Sequence, residues 1–190
     1  MATRQRIVDA AAELIYERGV RETNNEALRQ ATGVSGSQLS HYFPNKEDLI
    51  RAVISRRAAS MRGLDTQPPR GPFDNLEAFE NWAASYITNP EVVQGGCSFG
   101  SLASEVLKSE PNLRGAIAEG FASWAQDFRS GLEAMQAAGR LSRDADPEQL
   151  THVLMSAFQG GMLLAQAQRD IAPLRDALLS AVGLIRAASS

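Results

Sequence analysis

Apolar residues recur along this chain every three or four positions, and no stretch alternates with the two-residue period of a strand. Ile7, Ala10, Ala11, Leu14 and Ile15 fall on one helical face, which predicts a helix over Thr3 to Arg18 that ends at Gly19. Two short, sharply punctuated helices follow. Thr23 and Glu26 have capping-box spacing, in which the hydroxyl takes one unpaired amide and the carboxylate reaches back. The helix they open carries Ala27, Leu28 and Ala31 and stops at Gly33. Ser35 and Gln38 repeat the box and open a helix through about Tyr42. Pro44 ends it, and Asn45 caps a fourth helix whose buried stripe is Leu49, Ile50, Val53 and Ile54.

Between Gly63 and Pro72 lie three prolines and two glycines, the one stretch that reads as a linker. Helical patterns resume from about Asp74 to Thr88, from Ser98 to Lys108 and from Pro111 to Ala138, with a glycine turn at Gly95-Gly96. Asp146-Pro147 places an acidic cap before a proline at the first helical position, and that helix runs to about Arg169. The last spans about Pro173 to Ala188. The fold class is therefore all-α, with about nine helices. Residues 1–46 form a three-helix helix-turn-helix domain, and residues 47–190 a helical domain.

Charge alters the picture more than composition does. The net charge of −3 lacks the basic excess of a nucleic-acid binder. Its distribution is uneven, however: residues 1–57 hold nine Lys/Arg against seven Asp/Glu, and residues 58–190 hold ten against fifteen. The first part can approach a polyanion while the rest keeps the chain soluble. A single cysteine, Cys97, excludes an intrachain disulfide and fits a reducing compartment. With no leader pattern and no apolar run of about 20 residues, a cytoplasmic protein without a membrane partner is expected. The two histidines, His41 and His152, are far apart, and no HExxH, CxxC, phosphate-loop or GxSxG pattern occurs. Neither an enzyme nor a metal or other cofactor is expected.

Two short helices joined by a glycine turn between longer ones make a helix-turn-helix. Its second helix needs small polar residues at its exposed start and apolar residues behind. Ser35, Ser37, Gln38 and His41 meet the first need, and Leu39 and Phe43 the second. An ordinary pair of core helices with a glycine turn fits the same pattern. The wording of the chain separates the two. Arg6-Ile7-Val8-Asp9-Ala10-Ala11-Ala12-Glu13-Leu14, Gly19, Ala31-Thr32-Gly33-Val34-Ser35, Leu39, His41-Tyr42-Phe43 and Asn45-Lys46-Glu47-Asp48-Leu49 resemble the N-terminal domain of the TetR family of transcriptional repressors. Further on, Gly95-Gly96-Cys97-Ser98-Phe99-Gly100-Ser101-Leu102-Ala103-Ser104-Glu105 is similar to the segment opening the sixth helix in many members, including the branch of the LmrA and YxaF repressors.

The resemblance implies a homodimeric repressor that binds double-stranded operator DNA and is released by a small-molecule inducer. It places Ser35, Ser37, Gln38 and His41 at bases or adjacent phosphates, Tyr42 and Lys46 on the backbone, and Asn24 at a phosphate. Three positions depart from the family pattern. Ser40 replaces an aromatic residue, Arg29 a small one, and Glu26 a basic or polar one, which the capping box explains. The helix from Lys46 to about Met61 is the natural lever between the two functions.

The resemblance also implies a pocket among the later helices. Trp82, Tyr86, Cys97, Phe99, Trp124, Met155, Phe158 and Met162 are the candidate lining, with core packing as the alternative for each. Tyr86 and Ser156 offer hydroxyls to orient a neutral, largely apolar ligand. Cys97, next to a helix start, supports a rival reading as a redox or electrophile sensor. Gly160-Gly161 and the stripe Leu174, Leu178, Ala181 and Ile185 predict a two-fold four-helix contact between subunits, or else close packing within one chain.

Overall fold

The computed structural model describes residues 3–64 and 70–189, so residues 65–69 of the predicted linker lie outside the described residues. The helices are α1 (Thr3–Glu22), α2 (Asn25–Thr32), α3 (Gly36–Tyr42), α4 (Lys46–Met61), α5 (Leu76–Ile87), α6 (Val92–Gly95), α7 (Ser98–Ser109), α8 (Arg114–Ala137), α9 (Pro147–Gln168) and α10 (Ala172–Ala188). Only α6 is a single turn, and among the described residues the remaining structure includes a 3-10 turn at Pro111–Leu113 and an isolated bridge between Leu141 and Ser189. The all-α expectation holds. The chain divides into two compact units, Met1–Gln67 with Ser98–Ala122, and Pro68–Cys97 with Ser123–Ser190.

In the first unit, Ile7, Ala11 and Ile15 of α1 are buried along with Ile50, Val53 and Ile54 of α4. Polar ties join the same two helices. Arg56 Nε donates to Asp9 at 3.0 Å, and Arg57 Nη2 donates to the Ala12 carbonyl at 3.0 Å and to Glu13 at 3.1 Å. Gly19 interrupts the helix where its position predicts an end: at φ 84° and ψ 167° it is non-helical, and a short helical stretch follows across the kink to Glu22. The kink frees the Val20 amide, which donates to Glu105 Oε1 of α7 at 2.6 Å. The positive φ there favours glycine, and a Cβ would also stand 3.0 Å from that same carboxylate oxygen and press on it. Glu105 thus holds the turn from which α2 departs.

In the second unit, α9 packs extensively against α10. Asp146 caps α9 as expected, accepting from the Glu148 and Gln149 amides. A Cβ on Gly161 would come within 2.9 Å of Leu174 Cα, whereas one on Gly160 would meet open space. Leu174, Leu178, Ala181 and Ile185 are all buried inside the chain. This corrects the intersubunit reading of both features: Gly161 and the α10 stripe serve packing within one chain. The face left outward carries Leu163, Leu164, Leu179 and Leu184.

Candidate DNA-reading face and aromatic cluster

α3 is seven residues long, too short to persist on propensity alone. It is held at its start by a complete capping box: Ser35 Oγ accepts from the Gln38 amide at 3.2 Å, and Gln38 Oε1 accepts from the Ser35 amide at 3.0 Å. Behind it, Leu39 and Phe43 are buried, and the Arg4 guanidinium lies 5.1 Å from the Phe43 ring centre. Ser35, Ser37, Gln38, His41 and Tyr42 are all exposed, and the His41 and Tyr42 rings meet edge-on at 5.2 Å. One lone pair of Gln38 Oε1 is committed to the cap, leaving the other and the Nε2 donors for a partner.

Beside α3 lies a groove of about 580 Å³ lined by Ser40 of α3 and by residues at the starts of α2 and α4, among them Asn24, Asn25, Asn45 and Lys46. Asn45 caps α4 as predicted, accepting from the Asp48 amide at 2.8 Å. At α2 the predicted cap is wrong by one residue. Asn24, not Thr23, is the N-cap and accepts from the Ala27 amide at 3.0 Å. Thr23 is buried, and its hydroxyl donates back to Gly19. Glu26 closes no box; it pairs with Arg29 at 3.0 Å and accepts from Gln30. Glu26 and Arg29 on α2 offset each other, whereas Lys46 is exposed and has no ion-pair partner among the described residues.

In the second unit the predicted ligand residues fall into an aromatic cluster. Trp82 and Tyr86 come from α5, Trp124 from α8 and Phe158 from α9. Phe158 stands 5.6 Å from Trp82, 4.7 Å from Tyr86 and 5.1 Å from Trp124. Phe128 and Phe73 join at 4.9 Å and 6.4 Å from Trp82, rings that the candidate set missed. Met155 and Met162 flank Phe158 along α9, Met155 partly exposed and Met162 buried. Phe99 belongs instead to the first unit, where it meets Phe121 at 4.8 Å. Ser156 is exposed.

Polar groups edge this cluster. Burial raises the Tyr86 hydroxyl above its ordinary pKa, and the Arg70 guanidinium that hydrogen-bonds it works the other way. Nothing in the spacing of Arg70, which sits just past the prolines, marks it as a partner of Tyr86. Gln159 Nε2 lies 3.6 Å from Cys97 Sγ, a donor beside a buried thiol. The indole nitrogens of Trp82 and Trp124 are buried and have no hydrogen-bond partner among the described residues. Trp82 lies near enough to perturb the Tyr86 oxygen, but not at bonding geometry. Each unmet donor costs about 1–3 kcal/mol.

Known proteins show the same two-part plan. Residues 7–53 match the family described as "Bacterial regulatory proteins, tetR family", and residues 72–181 match the "Tetracyclin repressor-like, C-terminal domain". The chain belongs to the TetR family of transcriptional regulators. Its relatives include the transcriptional repressor DhaR of Mycobacterium sp. strain GP1, 23% identical over 90% of this chain and 86% of that protein. The transcriptional regulator AcuR of Cereibacter sphaeroides is 25% identical over 90% of this chain and 79% of its own length. In structure, reduced Escherichia coli NemR matches with a TM-score of 0.79 at 21% identity, covering all of this chain and 98% of NemR. The family and these relatives are regulators, not enzymes.

Proposed function

We propose that this regulator is a repressor that binds a palindromic operator as a homodimer and leaves it when a small, largely apolar molecule binds the helical domain. DNA reading is assigned to residues 1–46, ligand binding and dimerisation to 47–190. The observation that carries the reading is α3, whose exposed face is polar while Leu39 and Phe43 anchor its back. A helix so presented fits a major groove, with Ser35, Ser37, Gln38 and His41 toward base edges. Asn24 and Lys46 line the neighbouring groove and exposed Tyr42 ends α3, positions assigned to phosphates, with Lys46 adding its charge to the amides that open α4. The repressor sense is supported by DhaR, which is named as one. The segment Gly95 to Glu105 supports placement near the LmrA and YxaF branch.

Two α3 units can address successive grooves only in a dimer. The outward leucines of α9 and α10, with Leu163 66% and Leu179 56% exposed, are the surface assigned to it. Light scattering at micromolar concentration should give twice the chain mass. Fluorescence anisotropy with operator DNA from beside the gene tests the rest. Lys46→Ala should weaken binding to all sequences alike and lower the salt slope by about one per subunit. Gln38→Ala should relax preference at one base pair per half-site. Wild-type affinity and preference in both variants would remove α3 from the groove.

A second reading, thiol sensing, draws on the Gln159 amide beside Cys97 Sγ, since a donor there favours thiolate. Burial of that thiol favours the ligand reading instead. DNA release by iodoacetamide that disappears in Cys97→Ser, with no small neutral inducer active, would reverse the order.

A further inference from the structure

We infer that the ligand of the aromatic cluster is an uncharged ring compound bearing a carbonyl-type acceptor, which takes the indole N–H groups of Trp82 and Trp124 as the cluster opens. The inference rests on the ligand-binding reading above and narrows it to a chemical class.

Trp82 is 3% and Trp124 1% exposed, and both nitrogens lack an acceptor among the described residues. Neither nitrogen presents surface to a water-sized sphere, so the closed arrangement leaves no room for water to satisfy them. Indole N–H groups only donate. Phe73, Phe128 and Phe158 offer only ring carbons in return, and the Tyr86 oxygen near Trp82 stands outside bonding geometry. Phenylalanine at either position would bury an apolar ring without an idle donor, so two idle donors in one ring network need an explanation.

A guest carrying an acceptor supplies one. The closed cluster forgoes two hydrogen bonds, and a guest that makes them gains what closure lacks. A plain hydrocarbon would leave both donors idle. An ion would lose its hydration facing neutral N–H groups and ring faces, and benzoate tests whether the Arg70 charge beside Tyr86 offsets that loss. Ring faces packed tilted and edge-on around Phe158 favour an aromatic or otherwise flat body.

The chain has only these two tryptophans, so each indole N–H gives its own NMR signal. The full-length protein, without DNA, is titrated with three probes of one shape: acetophenone, isopropylbenzene and benzoate, each to millimolar concentration. Acetophenone should move both indole protons downfield and bind at least about tenfold more tightly than isopropylbenzene, with benzoate weaker than acetophenone. Trp82→Phe and Trp124→Phe should each reduce that preference while isopropylbenzene binding persists. Equal affinity for ketone and hydrocarbon, tightest binding of benzoate, or no binding of any probe overturns the inference. The wild-type comparison stands whether or not the variants fold. Failure of repression itself is seen separately, as operator retained in a gel shift while the indole signals move.

Discussion

Around α3, order comes from hydrogen bonds between residues three or four apart; around Phe158 it comes from rings supplied by three helices. Ser35 and Gln38 secure the start of α3, leaving Ser37 and His41 of its outer face outside the capping box. In the cluster, Trp82, Trp124 and Phe158 are buried against one another, so these candidate ligand residues are also packing residues. The lesson concerns substitution. On α3 function can be changed with little loss of stability, whereas in the cluster the two are entangled.

The sharpest break of that contrast is Trp124→Ala. Removing a fully buried indole should destabilise the second unit by about 3–5 kcal/mol. It would therefore confound any test of ligand response, for which Trp124→Phe is the cleaner choice. Urea unfolding measures it; a loss below about 1 kcal/mol would mean that the ring is not part of the core.

Glu105→Ala tests the opposite case, a long-range hydrogen bond inside the DNA-reading unit. It strands the Val20 amide and should cost about 1–3 kcal/mol, with Glu105→Gln recovering part because its carbonyl can still accept. Amide exchange at Val20 should accelerate in the alanine variant. Unchanged exchange would show that the kink at Gly19 holds without the carboxylate.

The adjacent glycines of α9 should respond with opposite signs. Gly161→Ala presses on Leu174 and should cost about 1–3 kcal/mol, while Gly160→Ala has open space and should gain up to about 1 kcal/mol. If Gly160→Ala instead weakens the dimer in light scattering, that glycine faces the partner. The smallest effect is expected at Ser35→Ala, about 1 kcal/mol from the lost cap. Thermal unfolding should shift little while operator affinity falls. A large stability loss would show that the recognition helix depends on its box more than on Leu39 and Phe43.

Most helices could be read from the chain because their signals are local. Ser35 with Gln38, Asn45, and Asp146 with Pro147 each lie within a few residues of the amides they serve. The errors were local too where two residues competed: Thr23 and Asn24 are both good caps, and the neighbouring kink drew the Thr23 hydroxyl to Gly19. The one-turn α6 was missed, since four residues carry no periodicity. At the aromatic site, composition named Trp82, Tyr86, Trp124 and Phe158, and Phe128, one helical turn beyond Trp124, carried the same signal, while Arg70 and Gln159 had no marker of their own.

By itself the sequence determined the all-α class, the helix-turn-helix wording and the polar face of α3, because periodicity and caps act over three or four residues. Tertiary structure decided what pairs across the chain. Glu105 reaches Val20 from 85 residues away, and Gln159 reaches Cys97 from 62. It also decided which of two adjacent glycines touches a neighbouring helix. Such contacts depend on where whole helices come to rest, and that is set by the summed burial of many side chains, which no short window of residues records.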